Sequence, residues 1–438
     1  MRVSPAWLRA GGAAAVGAVV IACTTNAAAG GAPAPHQSHQ PAVTAGEQPG
    51  SSAGAGSGGS GPAGTGSGGS GSAGSGSGGS GSGASGAAPG AGTAEAAQAA
   101  SLSARQLAGQ RVIFSYAGLT PPAALLWLIS HGEAAGVIFF TSNISSRAQI
   151  AAVINKLEAA AAAATNPVHS PLLLMTDQEG GLVRRLPGAP VLSEKQIGES
   201  AHPAAAATTA GTGAAANLHG VGMNVNLSPV LDVYRTAGDF DDQFQRSYSM
   251  SASKVSSLGA DFIKAQQKGG VAATAKHFPG LGAAAKTQNT DVGPVTLNVS
   301  AANLRGIDEL PYKAAIAAKV KLVMVSWAVY PGVGATRPGG LSTNVVQGEL
   351  RKRLGFTGVT ITDALEAGAL RAFGSVQHRA LLAAQAGMDL LLCSGQTKGE
   401  GTACVDGLES GYNDGALGKT AFKAAATRVL SLRTGLPR

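Results

Sequence analysis

The stretch LRKRLGFTGVTITDAL, residues 350–365, decides the reading of this chain. It ends a segment of helical period (343–354), passes through the short β-rich run VTIT (359–362), and places an acid, Asp363, where that strand stops. A strand between helical segments, with a polar residue at its exit, is the repeating unit of an α/β fold. Working outward, the same unit recurs. Strands are predicted at 111–114, 137–140, 172–176, 223–227, 271–276, 322–326, 359–362 and 389–392. Helices are predicted at 121–133, 147–164, 202–218, 253–267, 301–318, 343–354, 376–386 and 419–432. Eight such units over roughly 330 residues predict a single-domain (β/α)8 TIM-type barrel. A doubly wound sheet would bring a Gly-rich phosphate loop after the first strand, and none follows Phe114. A barrel gathers its site at the C-terminal strand ends. Asp177, Asp232, Lys276 with His277, Ser326 and Asp363 all stand there.

Before the barrel the composition is different. Residues 1–22 combine Arg2 and Arg9 with a short run of small apolar residues, the layout of a secretory signal. VIAC at 20–23 resembles a bacterial lipobox, which implies lipidation of Cys23 and an anchor on the outer face of the cell membrane or in the cell wall. A soluble secreted protein is the alternative. Residues 23–100 are almost wholly Gly, Ser, Ala, Pro and Thr, too poor in apolar groups to offset ordering entropy, and read as a disordered tether. Its expected reach is roughly 50 Å. The enzyme-like domain is expected at 101–438.

The formal charge of +8 is scattered and aromatic content is 4%, a poor match for nucleic-acid binding. Attraction to anionic envelope polymers fits an exported chain better. In an oxidising compartment Cys393 and Cys404 are expected to form a disulfide, since the intervening SGQTKGEGTA offers no usual nitrogen or sulfur metal ligand. No metal and no cofactor are expected, and the sequence carries nothing on oligomeric state. Few aromatic residues predict a shallow site, with Trp327 read either as a stacking wall or as a core residue.

Three motifs carry the chemistry. DQEGG (177–181) follows a strand with glycines that admit close backbone approach and with Arg184 and Arg185 just behind; alone it also reads as a strand-ending turn. KHFPG (276–280) puts two donor side chains at a strand end. ITDALEAG (361–368) exposes Asp363, for which helix N-capping is the competing role. In this order, these motifs resemble glycoside hydrolase family 3, and more narrowly its single-domain β-N-acetylglucosaminidases of actinobacterial lipoprotein type. GVIFF at 136, GMNVNLSPVLDV at 222, RSY at 246, YPGV at 330 and AGMDLLL at 386 extend the likeness over nearly all of 105–435.

The resemblance implies a retaining hydrolysis of terminal β-linked N-acetylglucosamine from envelope glycans. It implies Asp363 as nucleophile and Asp177, Arg185, Arg246, Lys276 and His277 as the sugar-binding set. One departure matters. In that family KHFPG is normally followed by GHG and then by Asp-Ser-His, whose histidine is the acid/base. Here the segment reads GLGAAAKTQNTDVG: Leu281 replaces the first histidine, and Thr287 and Asn289 fall where Asp and the catalytic His would be. Asn289 cannot exchange a proton near neutral pH. Asp291 is the expected replacement, ahead of Glu366 and of Glu179, whose loop reads as structural. Two alternatives stay open: a weak acid step with activated leaving groups or an acceptor such as phosphate, and a protein that binds wall glycan without hydrolysis. A β-glucosidase-like relative is the nearest alternative enzyme.

Overall fold

The computed structural model describes residues 91–437, so the signal, Cys23 and most of the tether lie outside the described residues. Eight parallel strands close into a barrel in sequence order: β1 (Val112–Phe114), β2 (Gly136–Ile138), β3 (Leu173–Thr176), β4 (Val225–Asn226), β5 (Ala272–Phe278), β6 (Leu322–Val325), β7 (Val359–Ala364) and β8 (Leu390–Leu392). Each pairs with its neighbours in sequence, and the pairing of Val112 with Leu391 closes the ring. All eight predicted strands are present.

Alternation along the strands sorts the side chains. Ile113, Leu173, Met175, Val225, Leu322, Val359, Ile361 and Leu390 fill the barrel interior. The intervening residues, such as Val112, Leu174, Val323 and Leu391, pack against the helices. In β7 the inward series runs Val359, Ile361 and then Asp363, so the strand that seals the core with two apolar residues delivers a carboxylate at its mouth. The base of the same strand is clamped by ions. Asp389 accepts from the Thr360 backbone N–H at 2.9 Å, from Arg351 at 2.5 Å and from Arg428 at 2.6 Å.

Several local expectations are revised. The helix expected over 301–318 is broken into Ala301–Asn303, a π-helical turn Leu304–Asp308, and Leu310–Ala317. Pro311 has no N–H to donate, and the ladder slips by one residue ahead of it: Glu309 N–H bonds to the Leu304 carbonyl at 2.8 Å. A helix at Glu400–Asn413, unassigned from sequence, packs through its glycines: a Cβ on Gly407 would lie 2.4 Å from the Gln377 carbonyl oxygen. A helix also lies just ahead of residue 101. The helix Ala91–Ser101 buries Ala99, and its Glu95 accepts from Thr434 Oγ1 at 2.8 Å. Cys393 and Cys404 are joined by a disulfide. Among the described residues no helix is long and apolar enough to cross a membrane.

Candidate active site

The DQEGG segment leaves β3 and folds back as a small hairpin, Gln178–Gly180 with Val183–Arg184. Gly180 has φ +116°, and a Cβ there would sit 2.1 Å from the Leu192 carbonyl oxygen; no other residue fits that approach. The hairpin holds Asp177 and Glu179 against β5. Lys276 Nζ lies 2.8 Å from Asp177 Oδ1 and 2.8 Å from Glu179 Oε1. Arg246 grips Glu179 with both arms, at 2.8 and 2.9 Å, and reaches Asp241 at 3.4 Å. Arg185 stands 3.9 Å from Asp177.

Burial alone would neutralise these groups, and their partners reverse it. Burial pushes Asp177 up, but Lys276 and Arg185 outweigh it and hold the carboxyl below its ordinary range. For Glu179 the same opposition is won by Arg246 and Lys276. Lys276 is likewise raised despite burial, by Asp177 and Glu179. The result is a fixed set of charges lining one side of the mouth. Glu179, read as a structural loop residue, is the hub of this network.

His277 is held differently. Its Nδ1 lies 2.7 Å from Asp232 Oδ2, and Asp232 also accepts from the Leu281 backbone N–H at 2.5 Å. Burial, then Arg246, pulls His277 down to about 4, so it is a neutral imidazole at pH 7. Burial raises Asp232 to about 6 and, together with Asp232, raises Asp241 to about 7. Ligand atoms of Asp232, Asp241 and His277 lie within 4.8 Å of one another, close enough for a cation. Asp232 and His277 already bond to each other there, and Arg246 faces Asp241.

Asp363 faces this set across the mouth. Its Oδ1 accepts from the Ala364 N–H at 2.8 Å, and the next helical turn begins only at Gly368, so it caps no helix. Burial, then repulsion from Asp291, raises its pKa, with His277 and Lys276 opposing. Asp291 keeps solvent access at the rim, yet desolvation by the surrounding walls raises it too, with Glu366 adding repulsion and Arg246 opposing. The loop carrying Asp291 is stitched down. Gly368 and Ala369 donate backbone N–H groups to the Asp291 and Thr290 carbonyls at 2.8 and 2.9 Å. A Cβ on Gly368 would meet the Val292 carbonyl oxygen at 2.2 Å, so the closure requires glycine. Asn289 is spent locally, accepting from the Asp291 N–H at 2.8 Å. Leu281 is buried core.

A groove of about 910 Å³ adjoins the mouth beyond Ala364 and runs from Asp291 and Glu366 past Arg371 to the segment 394–400, with Phe140 as its one aromatic lining residue. Trp327 is fully buried and donates Nε1–H to the Ala364 carbonyl at 2.8 Å; it supports β7 and stacks on nothing in the mouth. Glu366, expected one helical turn beyond Asp363, instead turns toward β8, where Ser394 Oγ donates to it at 2.7 Å. Burial, then Glu400, raises Glu366 to about 8.

Comparison with known proteins agrees with this architecture. Residues 107–432 match the Glycosyl hydrolase family 3 N terminal domain. A protein of Arthroderma benhamiae named "Uncharacterized secreted glycosyl hydrolase" is 45% identical over 340 residues, 78% of this chain and 96% of that protein. A "Beta-hexosaminidase" of Stenotrophomonas maltophilia is 31% identical over 291 residues, 64% of this chain and 82% of that protein. Among solved structures, a family 3 β-N-acetylglucosaminidase from a Paenibacillus superposes with a TM-score of 0.71 at 32% identity, covering 76% of this chain and 62% of that longer chain. A β-N-acetylhexosaminidase from Beutenbergia cavernae gives 0.69 at 31%, covering 76% of this chain and 99% of that one.

Proposed function

The chain belongs to glycoside hydrolase family 3 and is a glycoside hydrolase, and on that premise we propose that it removes terminal β-linked N-acetylglucosamine with retention, through a covalent glycosyl-enzyme on Asp363. The observation that carries this reading is the pair of carboxyls, Asp363 at the inward end of β7 and Asp291 on the loop bonded to Gly368 and Ala369, close enough that Asp291, after burial, raises the Asp363 pKa. The relatives named β-hexosaminidase and β-N-acetylglucosaminidase support the sugar.

In the first step Asp363 attacks the anomeric carbon as a carboxylate. The bond to the glycosidic oxygen breaks, and the Asp291 proton passes to that oxygen as the leaving group departs. In the second, Asp291 takes a proton from water, the water oxygen bonds to the anomeric carbon, and Asp363 is released. Asp177, Arg185, Arg246, Lys276 and neutral His277 hold the hydroxyls and the acetamido group, fixing the ring for attack. Their charges are set before substrate arrives, so little reorganisation is needed as positive charge develops on the sugar.

Export is supported by the relative named as secreted. We further propose a lipid anchor at Cys23, with 23–100 as tether and envelope glycans as substrate.

Asp291→Asn tests the acid/base assignment. For substrates with a poor leaving group, kcat/KM should fall by about 10²- to 10³-fold, and for an activated aryl glycoside it should barely change. The pH profile follows the same logic. Asp363 must be charged and Asp291 protonated, so activity falls below an acidic limb, raised by burial and by Asp291, and again above an alkaline limb, raised by the burial of Asp291. The variant should lose the alkaline limb. Equal losses on both substrates would remove Asp291 from the mechanism. Glycan binding with no turnover in the unaltered protein would favour the binding reading that Asn289 leaves open.

A further inference from the structure

We propose that a cavity at the N-terminal end of the barrel, between Arg111 and Arg428, is a binding site for a dianionic phosphate group, either free or carried as a monoester. The site lies at the other end of the strands from Asp363 and does not depend on that residue being the nucleophile.

Position comes first. Arg111 immediately precedes β1 and Asp389 immediately precedes β8, so both stand where the strands begin, opposite the mouth. There a cavity of about 450 Å³ opens along the helix Lys419–Thr434, whose Val429 and Leu432 pack into the same end of the barrel. Arg111, Arg428, Gln347 and Gln385 supply its polar lining, and no acid lines it. Small residues such as Gly418 and Ala421 leave it open. The volume lies within the roughly 300 to 1,000 Å³ typical of small-molecule sites, so there is room for an ester as well as for the bare anion.

The charges there do not balance. Asp389 is the carboxylate that Arg351 and Arg428 share, at 2.5 and 2.6 Å. Arg111 is 2% exposed and uses Nε and Nη2 on the Asp389 and Met388 carbonyls, at 3.0 and 2.6 Å. Its Cζ lies 4.3 Å from the centre of the Phe422 ring. Among the described residues, Nη1 of Arg111 and Nη1 of Arg428 make no hydrogen bond. Three guanidinium groups against one carboxylate leave an excess of two positive charges. Burial pulls Arg111 down to about 10, with Asp389 opposing and Arg428 adding repulsion, so it stays a cation at neutral pH. A buried cation without a full counter-charge is costly, and an anion in the cavity relieves that cost.

The helix Lys419–Thr434 adds to the same sign. Its N-cap is Gly418, which supplies no side-chain cap, and the first N–H groups of a helix have no partner inside it. Such an end attracts anions, phosphate among them. The end of the helix Val376–Ala386 brings carbonyls of opposite sign to the cavity, and Arg111 offsets these by binding the Met388 carbonyl. Two unbonded guanidinium nitrogens, an uncapped helix start and a double excess of charge suit phosphate better than a carboxylate. A phosphate group offers three strong acceptor oxygens and about −1.5 to −2 charges near neutral pH.

The test is isothermal titration of the full chain with inorganic phosphate and with glycerol 3-phosphate at low ionic strength. N-acetylglucosamine is present to occupy the mouth, where Lys276 and Arg246 also attract anions. Binding is expected, together with a Tm that rises with phosphate beyond a chloride control. Arg428→Gln should weaken it about tenfold, the worth of one charged hydrogen bond. Because Arg428 also steadies Asp389, Ala421→Glu is the second variant. Ala421 is exposed, and a glutamate there balances the positive charge from the cavity wall without removing any contact, so the chain should fold. Its affinity for phosphate should fall at least about tenfold. Tighter binding of glycerol 3-phosphate assigns the site to an ester, and tighter binding of inorganic phosphate assigns it to the free dianion. No heat and no rise in Tm with either anion, or binding that Ala421→Glu leaves unchanged, overturns the site.

Discussion

Asp363→Asn is expected to lower turnover of an aryl β-N-acetylglucosaminide by at least about 10³-fold, because the amide keeps the shape of the side chain but cannot attack as an anion. The same variant should not be less stable at neutral pH. The folded state raises the Asp363 pKa, first by burial and then by Asp291. A carboxyl raised in this way favours folding only while protonated, and that contribution is lost as pH climbs through the folded pKa. At neutral pH the ionised side chain is therefore a strain on the fold, and asparagine relieves it. A thermal midpoint equal to or above that of the unaltered protein, together with lost turnover, is the expected pair of results. Lost turnover with a lowered midpoint would point to damage rather than to missing chemistry.

The second large effect is on stability. Arg246→Met removes the bidentate partner of Glu179, whose side chain is only 2% exposed. Breaking a buried pair by deleting one member costs about 3–5 kcal/mol, because the surviving charge stays buried without compensation. Lys276 still touches Glu179, which places the expected loss toward the lower end. The sign of its pH dependence is fixed by Glu179, whose folded pKa is depressed by Arg246 and Lys276 against the effect of burial. Such a group stabilises the fold above its unfolded pKa and loses that contribution as pH falls through the folded pKa. The deficit of the variant should thus be full at neutral pH and shrink in acid. Urea unfolding at several pH values measures it; a deficit below about 1 kcal/mol at neutral pH would mean that the pair behaves like a surface contact.

How much of this was legible in the sequence follows from where the signal is local. VTIT and the seven other strand runs are short apolar or β-rich stretches set between segments of helical period, and those at 172–176, 271–276, 322–326 and 359–362 end on a polar residue, so the barrel and the positions of Asp177, Lys276 and Asp363 could be read directly. Trp327 could not be assigned, since the donor–acceptor contact with Ala364 belongs to the closed barrel and not to either segment. The helix Glu400–Asn413 was hidden by its own packing: Gly401, Gly407 and Gly411 lower helix propensity yet allow close contact with Phe114, Gln377 and Leu381. Glu179 was undervalued because its partners are 67 residues away at Arg246 and on β5 at Lys276. A charge count would have flagged it, since Arg185, Arg246 and Lys276 share one mouth and Asp177 alone cannot balance them. The Glu366–Glu400 pair and the groove depend on how the segment 394–403 folds back, for which the only local sign was the two cysteines.

The seating of Asp291 is a different case. Its loop departs from the pattern of the resembled family, and only the bonds to Gly368 and Ala369 reveal that it closes over β7. Two backbone hydrogen bonds and a required glycine pin the loop that carries Asp291 beside the exit of β7.

Mass spectrometry after incubation with a fluorinated N-acetylglucosaminyl fluoride addresses the covalent step itself. Fluoride leaves without help from an acid, and the ring fluorine slows the release of the intermediate, so the assay does not depend on Asp291. The expected result is a mass gain of one sugar unit, located on the peptide that carries Asp363 and absent in Asp363→Asn. A label on any other residue, or rapid hydrolysis with no labelled protein and an inverted first product, would contradict a covalent glycosyl-enzyme on Asp363.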